Sequence, residues 1–316
     1  MMKTDMEIII EHLDRTIKDP IPRHILDKEI LGKKTSDISK YQESKWYKQL
    51  IIEQMSNGSW GRFHTQNTKL KEKRIFKTTE SALIRARELS LPKDDPVIKK
   101  AIKLMERYIN GEEDWTDTNE HHYGFQITFK TLIAANIATF IPDHPLVIPK
   151  KEICAENLKK AFINGYLNED IWESENRKSN EILLRPYMVY ILWLLQQNSY
   201  LDEDTQRNYL NYICNRKQGI YYRTNMASSD IQSLESKYFN TWLTGLENLK
   251  NFTLFPDFMK KGIFQHLINE SYRLIHDDVC LPVNPPVTNH YCESWRDKLS
   301  RKNDIILRIL RVLIMY

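Results

Sequence analysis

Side chains able to bind or turn over a small molecule recur at four places in the chain. Trp60, Arg62 and His64 are followed by Thr79 and Glu80, and Trp115 by His121, His122 and Tyr123. Trp172 is followed by Arg185 and Tyr187, and the run Tyr221, Tyr222, Arg223 by Asp230, Glu235 and Tyr238. Each place mixes aromatic rings with ionisable groups. Gathered at the mouth of a cavity, such a set suits an apolar or cationic guest, because the rings supply contact area and a negative π-face while the charges fix orientation. The plainer alternative is that the Trp and Tyr side chains staple helices together. Arg185 is the sharpest member. It precedes Pro186 in an apolar stretch, and a buried guanidinium needs a carboxylate, for which Glu80, Glu235 and Glu293 are the candidates. Glu80 and Asp230 could also form the acid pair of a carbohydrate-active enzyme, which needs two carboxylates about 5–10 Å apart. His121 and His122 are adjacent, diverge on either a helix or a strand, and read as turn histidines. Ser294 reads as the cap of a last helix, with Asp297 three places on, and no His–Asp support for a nucleophile can be placed beside it.

The elements that must carry these residues follow from a repeat. Gly58, Gly111, Gly165 and Gly219 are 53, 54 and 54 residues apart, and segments of helical apolar spacing precede them. Each therefore reads as a helix stop. A period of this length holds two helices and two connections. One set of helices, over 44–56, 97–110, 152–164 and 203–217, ends at the glycines; its Lys99, Lys100, Lys103, Glu106 and Arg107 should face water. A second, more apolar set over 78–90, 125–140, 180–198 and 233–250 should be the inner one. Helices near 5–18, 23–31, 256–275 and 300–315 bring the count to about twelve, enough for a double ring. The last is apolar nearly all round, from Ile305 to Ile314, so it must be buried, most economically against the first hairpin. The stretch 277–298, with Pro282, Pro285 and Pro286, reads as a long loop.

Composition narrows the class. The chain has 316 residues, with 46 Lys and Arg against 42 Asp and Glu for a net charge of +4, too balanced and too evenly spread for a nucleic-acid partner. Acidic residues interrupt the first twenty positions, which argues against a secretory signal, and the longest apolar run, 188–195, cannot span a bilayer. Peripheral membrane contact stays open. The four cysteines are too few and too irregular for a disulfide framework, so a cytoplasmic protein with reduced thiols is expected.

Gln54, Gly58 and Trp60 spell Q-x-x-x-G-x-W, with Lys45 and Leu50 upstream. This resembles the repeat motif of squalene cyclases and the related prenyltransferase toroids, with Gly219-Ile220-Tyr221 a worn copy. The resemblance implies an all-α fold, an α/α toroid of about six helical hairpins forming one domain over 1–316. It also implies a terpenoid cyclase-like or prenyltransferase-like toroid that binds an apolar, isoprenoid-like small molecule in a central aromatic-lined cavity. The cavity mouth would be lined by Trp60, Arg62, His64, Glu80, His122, Trp172, Arg185, Tyr187, Tyr222, Asp230, Glu235 and Tyr238.

The catalytic marks of that superfamily are absent or degenerate, so no catalytic residue is assigned. The nearest stretch to the D-x-D-D proton donor, Asp202-Glu203-Asp204-Thr205, lacks the last carboxylate and sits where a helix needs an acidic cap. Asp94-Asp95-Pro96 and Asp277-Asp278-Val279 lack the third carboxylate of a magnesium–diphosphate clamp. Asp278, Cys280, His290 and Cys292 mimic the zinc ligands of protein prenyltransferases, but all four share one loop where the family takes its His from a distant helix. Neither cofactor nor metal is expected. A protein- or peptide-binding helical scaffold without chemistry is the alternative, and a zinc-dependent transferase or carbohydrate-active enzyme a further one.

Overall fold

The structure is a computed structural model. It describes residues 2–33, 41–67, 73–114, 117, 124–196, 200–277, 279, 281 and 290–315, with side chains from residue 5 onward. The described residues form fourteen α-helices and no strand, as expected of an all-α chain. None of these helices is long and apolar enough to cross a membrane. In chain order they are α1 (Met2–Thr16), α2 (Pro20–Ile25), α3 (Lys45–Glu53), α4 (Thr79–Glu88), α5 (Pro96–Asn110), α6 (Phe125–Ala138) and α7 (Ile148–Ala161). There follow α8 (Glu169–Ser179), α9 (Val189–Leu195), α10 (Glu203–Asn215), α11 (Phe239–Leu249), α12 (Phe255–Met259), α13 (Ile263–His276) and α14 (Lys298–Leu313). The chain divides into two compact units: unit 1 is Met1–Lys48 with Cys214–Tyr316, and unit 2 is Gln49–Ile213.

In unit 2, α5 shows how local chemistry sets an element. Asp95 caps it by accepting from Val97 N at 2.9 Å, Pro96 occupies its first turn, and Gly111 ends it in the left-handed conformation. Val97, Ile98, Ala101, Ile102, Leu104, Met105 and Tyr108 are buried, while Lys99, Lys100 and Lys103 are exposed. The helices it leads to are of the other kind. Every residue of α9 is buried, as is α6 from Thr131 to Ala138, and α6 packs against both α5 and α9. The more apolar set is thus the more enclosed one.

All four repeat glycines have positive φ, between 67° and 100°. Gly111 caps a helix directly, whereas Gly58, Gly165 and Gly219 lie in turns a few residues beyond one. At Gly58 and Gly219 space is a second constraint. A Cβ on Gly58 would lie 2.4 Å from Lys100 O, and one on Gly219 would lie 2.6 Å from the backbone of Met226.

Four helical expectations change, the first being that the helix expected over 233–250 begins only at Phe239. The helix expected over 180–198 begins only at Val189, because Pro186 has no amide to donate and turns Arg185 out of the helical region. Residues 169–179, not anticipated, form α8: Asn168 caps it, but only Trp172 and Asn176 are buried, so it carries no apolar stripe to read. The helix expected over 256–275 is broken into α12 and α13, with Gly262 at φ 89° starting the second.

In unit 1, α2 continues into a π-helical turn, Leu26–Ile30. Helix α14 is buried nearly all round and packs against α1, α11, α13 and that turn, so the apolar last helix does meet the start of the chain. Its cap is Asp297, which accepts from Ser300 N at 2.7 Å, and not Ser294. Ser294 is taken instead by Asp19, whose carboxylate accepts from its amide and its hydroxyl at 3.1 Å each.

Candidate functional site

The Q-x-x-x-G-x-W stretch is a clamp made of hydrogen bonds. Gln54 Nε2 donates to Gly58 O at 3.1 Å and to Val97 O at 2.9 Å, tying the turn after α3 to the first turn of α5. Trp60 Nε1 donates to Leu50 O at 2.9 Å, a carbonyl near the end of α3 that also accepts from Gln54 N at 3.1 Å. Trp60 N donates to Thr79 Oγ1 at 3.0 Å. The chain then runs alongside the start of α4, where Thr79 N donates to Arg62 O at 2.9 Å and Glu80 N to Phe63 O at 3.0 Å. That pairing carries His64 to Glu80.

His64 Nδ1–H donates to Glu80 Oε2 at 2.7 Å, the proton being placed on Nδ1 because a carboxylate only accepts. The other carboxylate oxygen, Oε1, receives Asn136 Nδ2 of α6 at 3.3 Å, and the same amide nitrogen is 3.0 Å from Leu132 O. Tyr190 Oη of α9 lies 3.4 Å from His64 Nδ1. Glu80 is 7% exposed, Asn136 and Tyr190 are buried, and the His64 side chain keeps 19% of its surface. Around them lie Phe63 against Phe129 at 5.4 Å and Tyr190 against Trp193 at 5.5 Å between ring centroids. An imidazole held by a carboxylate at Nδ1 carries its basic lone pair on Nε2. The arrangement can take a proton from a bound molecule and return it, the carboxylate steadying the imidazolium between the two steps.

The loop bearing His64 is held from the opposite side by Asp117. Its Oδ2 accepts from Phe63 N at 2.9 Å, and its Oδ1 accepts from His64 N at 3.0 Å, Thr65 N at 2.5 Å and Thr65 Oγ1 at 2.7 Å.

A second histidine–carboxylate pair in unit 2 is used differently. His144 Nε2 donates to Glu106 Oε1 at 2.9 Å while its Nδ1 accepts from Leu146 N at 3.3 Å, so both nitrogens fasten the turn before α7 to α5. The pair borders an open groove of about 650 Å³, lined also by Lys103, Arg107 and Asn110.

The anticipated site residues divide between the units. In unit 2, His64 and Glu80 meet, as described. Trp60 and Trp172 are buried staples, the latter donating from Nε1 to Leu184 O at 3.0 Å; Arg62 and Tyr187 are half-buried. Arg185 departs from expectation. Its partner is Glu173 of α8, not Glu80 or Glu235, and its side chain is 41% exposed. In unit 1, Asp230 is exposed, and so are Tyr238 and Tyr222. Tyr222 has φ 73° and its ring lies 3.9 Å from that of Tyr221. Glu235 is paired with Arg273, which holds its carboxyl down to about 2. Trp115, His121, His122, Tyr123, Asp278 and Cys280 lie outside the described residues. Of the anticipated zinc ligands, His290 Nδ1 donates to Cys292 O at 2.9 Å, and its ring sits between Trp46 and Trp295 at 5.3 and 4.7 Å. Burial and the nearby Asp304 push the Cys292 thiol well above its ordinary value. Among the described residues no three His, Cys, Asp or Glu side chains come together to hold a metal.

Asn136, Tyr190 and Asp117 are not among the anticipated site residues; Tyr190 reads only as part of the apolar run. Only Asp117 carried a usable signal: it follows Gly111 by six residues, as His64 follows Gly58. No protein-family model, curated protein or solved structure matches the chain.

Proposed function

We propose that the chain is an α/α toroid that binds an apolar, isoprenoid-like small molecule and presents that molecule's polar head to His64 and Glu80 for proton exchange. The observation that carries this reading is the pair itself. A histidine on the loop after Gly58 and a carboxylate in the first turn of α4 lie 2.7 Å apart, and an amide from α6 and a phenol from α9, helices buried largely through apolar side chains, close round them. The 54-residue register of the glycines, the clamp at Gln54–Trp60 and the enclosed α6 and α9 support the ring architecture. The described cysteines, Cys154, Cys214 and Cys292, are buried thiols, which supports a reducing cytoplasmic setting.

Thermal melts of the wild type with farnesol, geranylgeraniol, their diphosphates and a panel of oligosaccharides test it. At a ligand concentration of 100 Kd, binding to the folded state adds about 2.7 kcal/mol, a readable rise in melting temperature. The rise is expected with the isoprenoids and is lost in His64→Ala and Glu80→Gln, both of which still melt cooperatively. No shift in the wild type with any isoprenoid sinks the proposal.

A further inference from the structure

We infer that Asp117 is the positioning residue of the His64–Glu80 pair, acting as a built-in anion seated in a nest of backbone amides. Three successive N–H groups, those of Phe63, His64 and Thr65, converge on one carboxylate together with the Thr65 hydroxyl. Successive amides aimed at one point are how loops bind anions. Here the anion is part of the chain, and it is 3% exposed. These donors lie outside any helix, so without Asp117 they would be left in a half-buried loop with the cost of unmade hydrogen bonds.

The nest does more than hold a loop. Phe63 is gripped on both sides: its N–H goes to Asp117, and its C=O receives the amide of Glu80. His64 is gripped at its own amide. The two halves of the proton-exchanging pair are therefore registered through one peptide unit, and Asp117 sets that register without touching the imidazole. Its place in the repeat makes this a contact between neighbours, because the residue six after one glycine clamps the residue six after the glycine before it.

The inference rests on the proposal that His64 and Glu80 exchange a proton, and one set of spectra tests the two separately. The protein is labelled with ¹⁵N-histidine, and the His64 ring signals are assigned by their loss in His64→Gln. In the wild type, Nδ1 is expected as the protonated nitrogen, with a low-field Nδ1–H signal. Glu80→Gln removes that signal's low-field shift; if it does not, the pair is not what holds the ring and the functional reading fails. Asp117→Gly empties the nest and is expected to lose the low-field signal while far-UV circular dichroism stays helical. Sodium acetate then restores it saturably, and sodium chloride at equal ionic strength does not. Should the glycine variant fold only with acetate, the nest is confirmed as an anion seat. Should it not fold at all, Asp117→Asn, which keeps one acceptor oxygen, is expected to shift the His64 signal part of the way. An unchanged His64 signal in the purified glycine variant, or in Asp117→Asn, overturns the inference and leaves the Glu80 result standing. Loss of signal that acetate cannot restore also overturns it, since that is plain structural damage.

Discussion

Unit 1 and unit 2 both bury charge beside aromatic rings, and they do so to opposite ends. In unit 1, Arg308 of α14 meets Glu247 of α11 through two bonds, Nε to Oε1 at 3.0 Å and Nη2 to Oε2 at 2.8 Å, and spends its remaining donors on Asn240 and Thr244. Three residues on, Arg311 grips Glu29 through bonds of 2.8 and 2.9 Å and donates to Tyr291 Oη at 2.8 Å. Burial alone would raise the Glu247 carboxyl; Arg308, Arg311 and Lys250 outweigh it and hold it below its ordinary value. The Arg308 side chain is 3% exposed. A guanidinium cannot give up its proton, and this network joins helices. In unit 2 the cation's place is taken by an imidazole, which unlike a guanidinium can exchange its proton, and its side chain keeps part of its surface. Fully paired groups that cannot titrate read as architecture. An imidazole held against a carboxylate, able to take up a proton and return it, reads as chemistry.

The largest test of that contrast is Arg308→Ala. It strands Glu247 among buried neighbours, and urea titration should show a loss of about 3–5 kcal/mol, most of which returns in Arg308→Met combined with Glu247→Leu. A loss below about 1 kcal/mol would mean that the unit 1 network is not structural. Next come the turn glycines, one from each unit. Gly58→Ala and Gly219→Ala each add left-handed strain, about 1–2 kcal/mol, to a collision with backbone atoms. Gly111→Ala adds the strain alone, since a Cβ there meets nothing within 4 Å. Denaturant midpoints should therefore rank Gly111→Ala as the mildest; equal losses at all three would show that the close approaches relax. The smallest effect is expected at Arg185. Its pair with Glu173 is exposed on both sides, and Arg185→Met should change stability by less than about 1 kcal/mol. A loss as large as that of Arg308→Ala would erase the distinction between wet and dry pairs.

What could be read in advance follows from how local the cause was. α5 announces itself through Asp95, Pro96, a one-sided apolar stripe and Gly111, all within one segment. His64 and Glu80 stand out because each is an ionisable residue at a fixed place, one after a repeat glycine and one in the first turn of α4. The rest depended on partners far away in sequence. Tyr190 belongs to a run whose every residue is apolar or aromatic, so its phenol looked like core. Asn136 is one polar side chain on an enclosed helix, and its use becomes visible only when α4 is placed beside it. Arg185 was assigned the wrong partner for a physical reason. A helix over 180–198 would bury it, whereas Pro186 leaves it in an irregular stretch within reach of α8, a helix whose polar surface gives no periodic signal.

Unit 1 is assembled from residues at both ends of the sequence, with α1 packed on α13 and α14. This has a consequence for synthesis. On a ribosome adding roughly 5–20 residues per second, the apolar face of α1, with Ile9 and Leu13, emerges long before the helices that cover it exist. Unit 2 is continuous in sequence and can collapse as it leaves the exit tunnel. The partners that cover α1 are therefore synthesised only after the whole of unit 2, and until then its apolar face has nothing of unit 1's later helices to pack on.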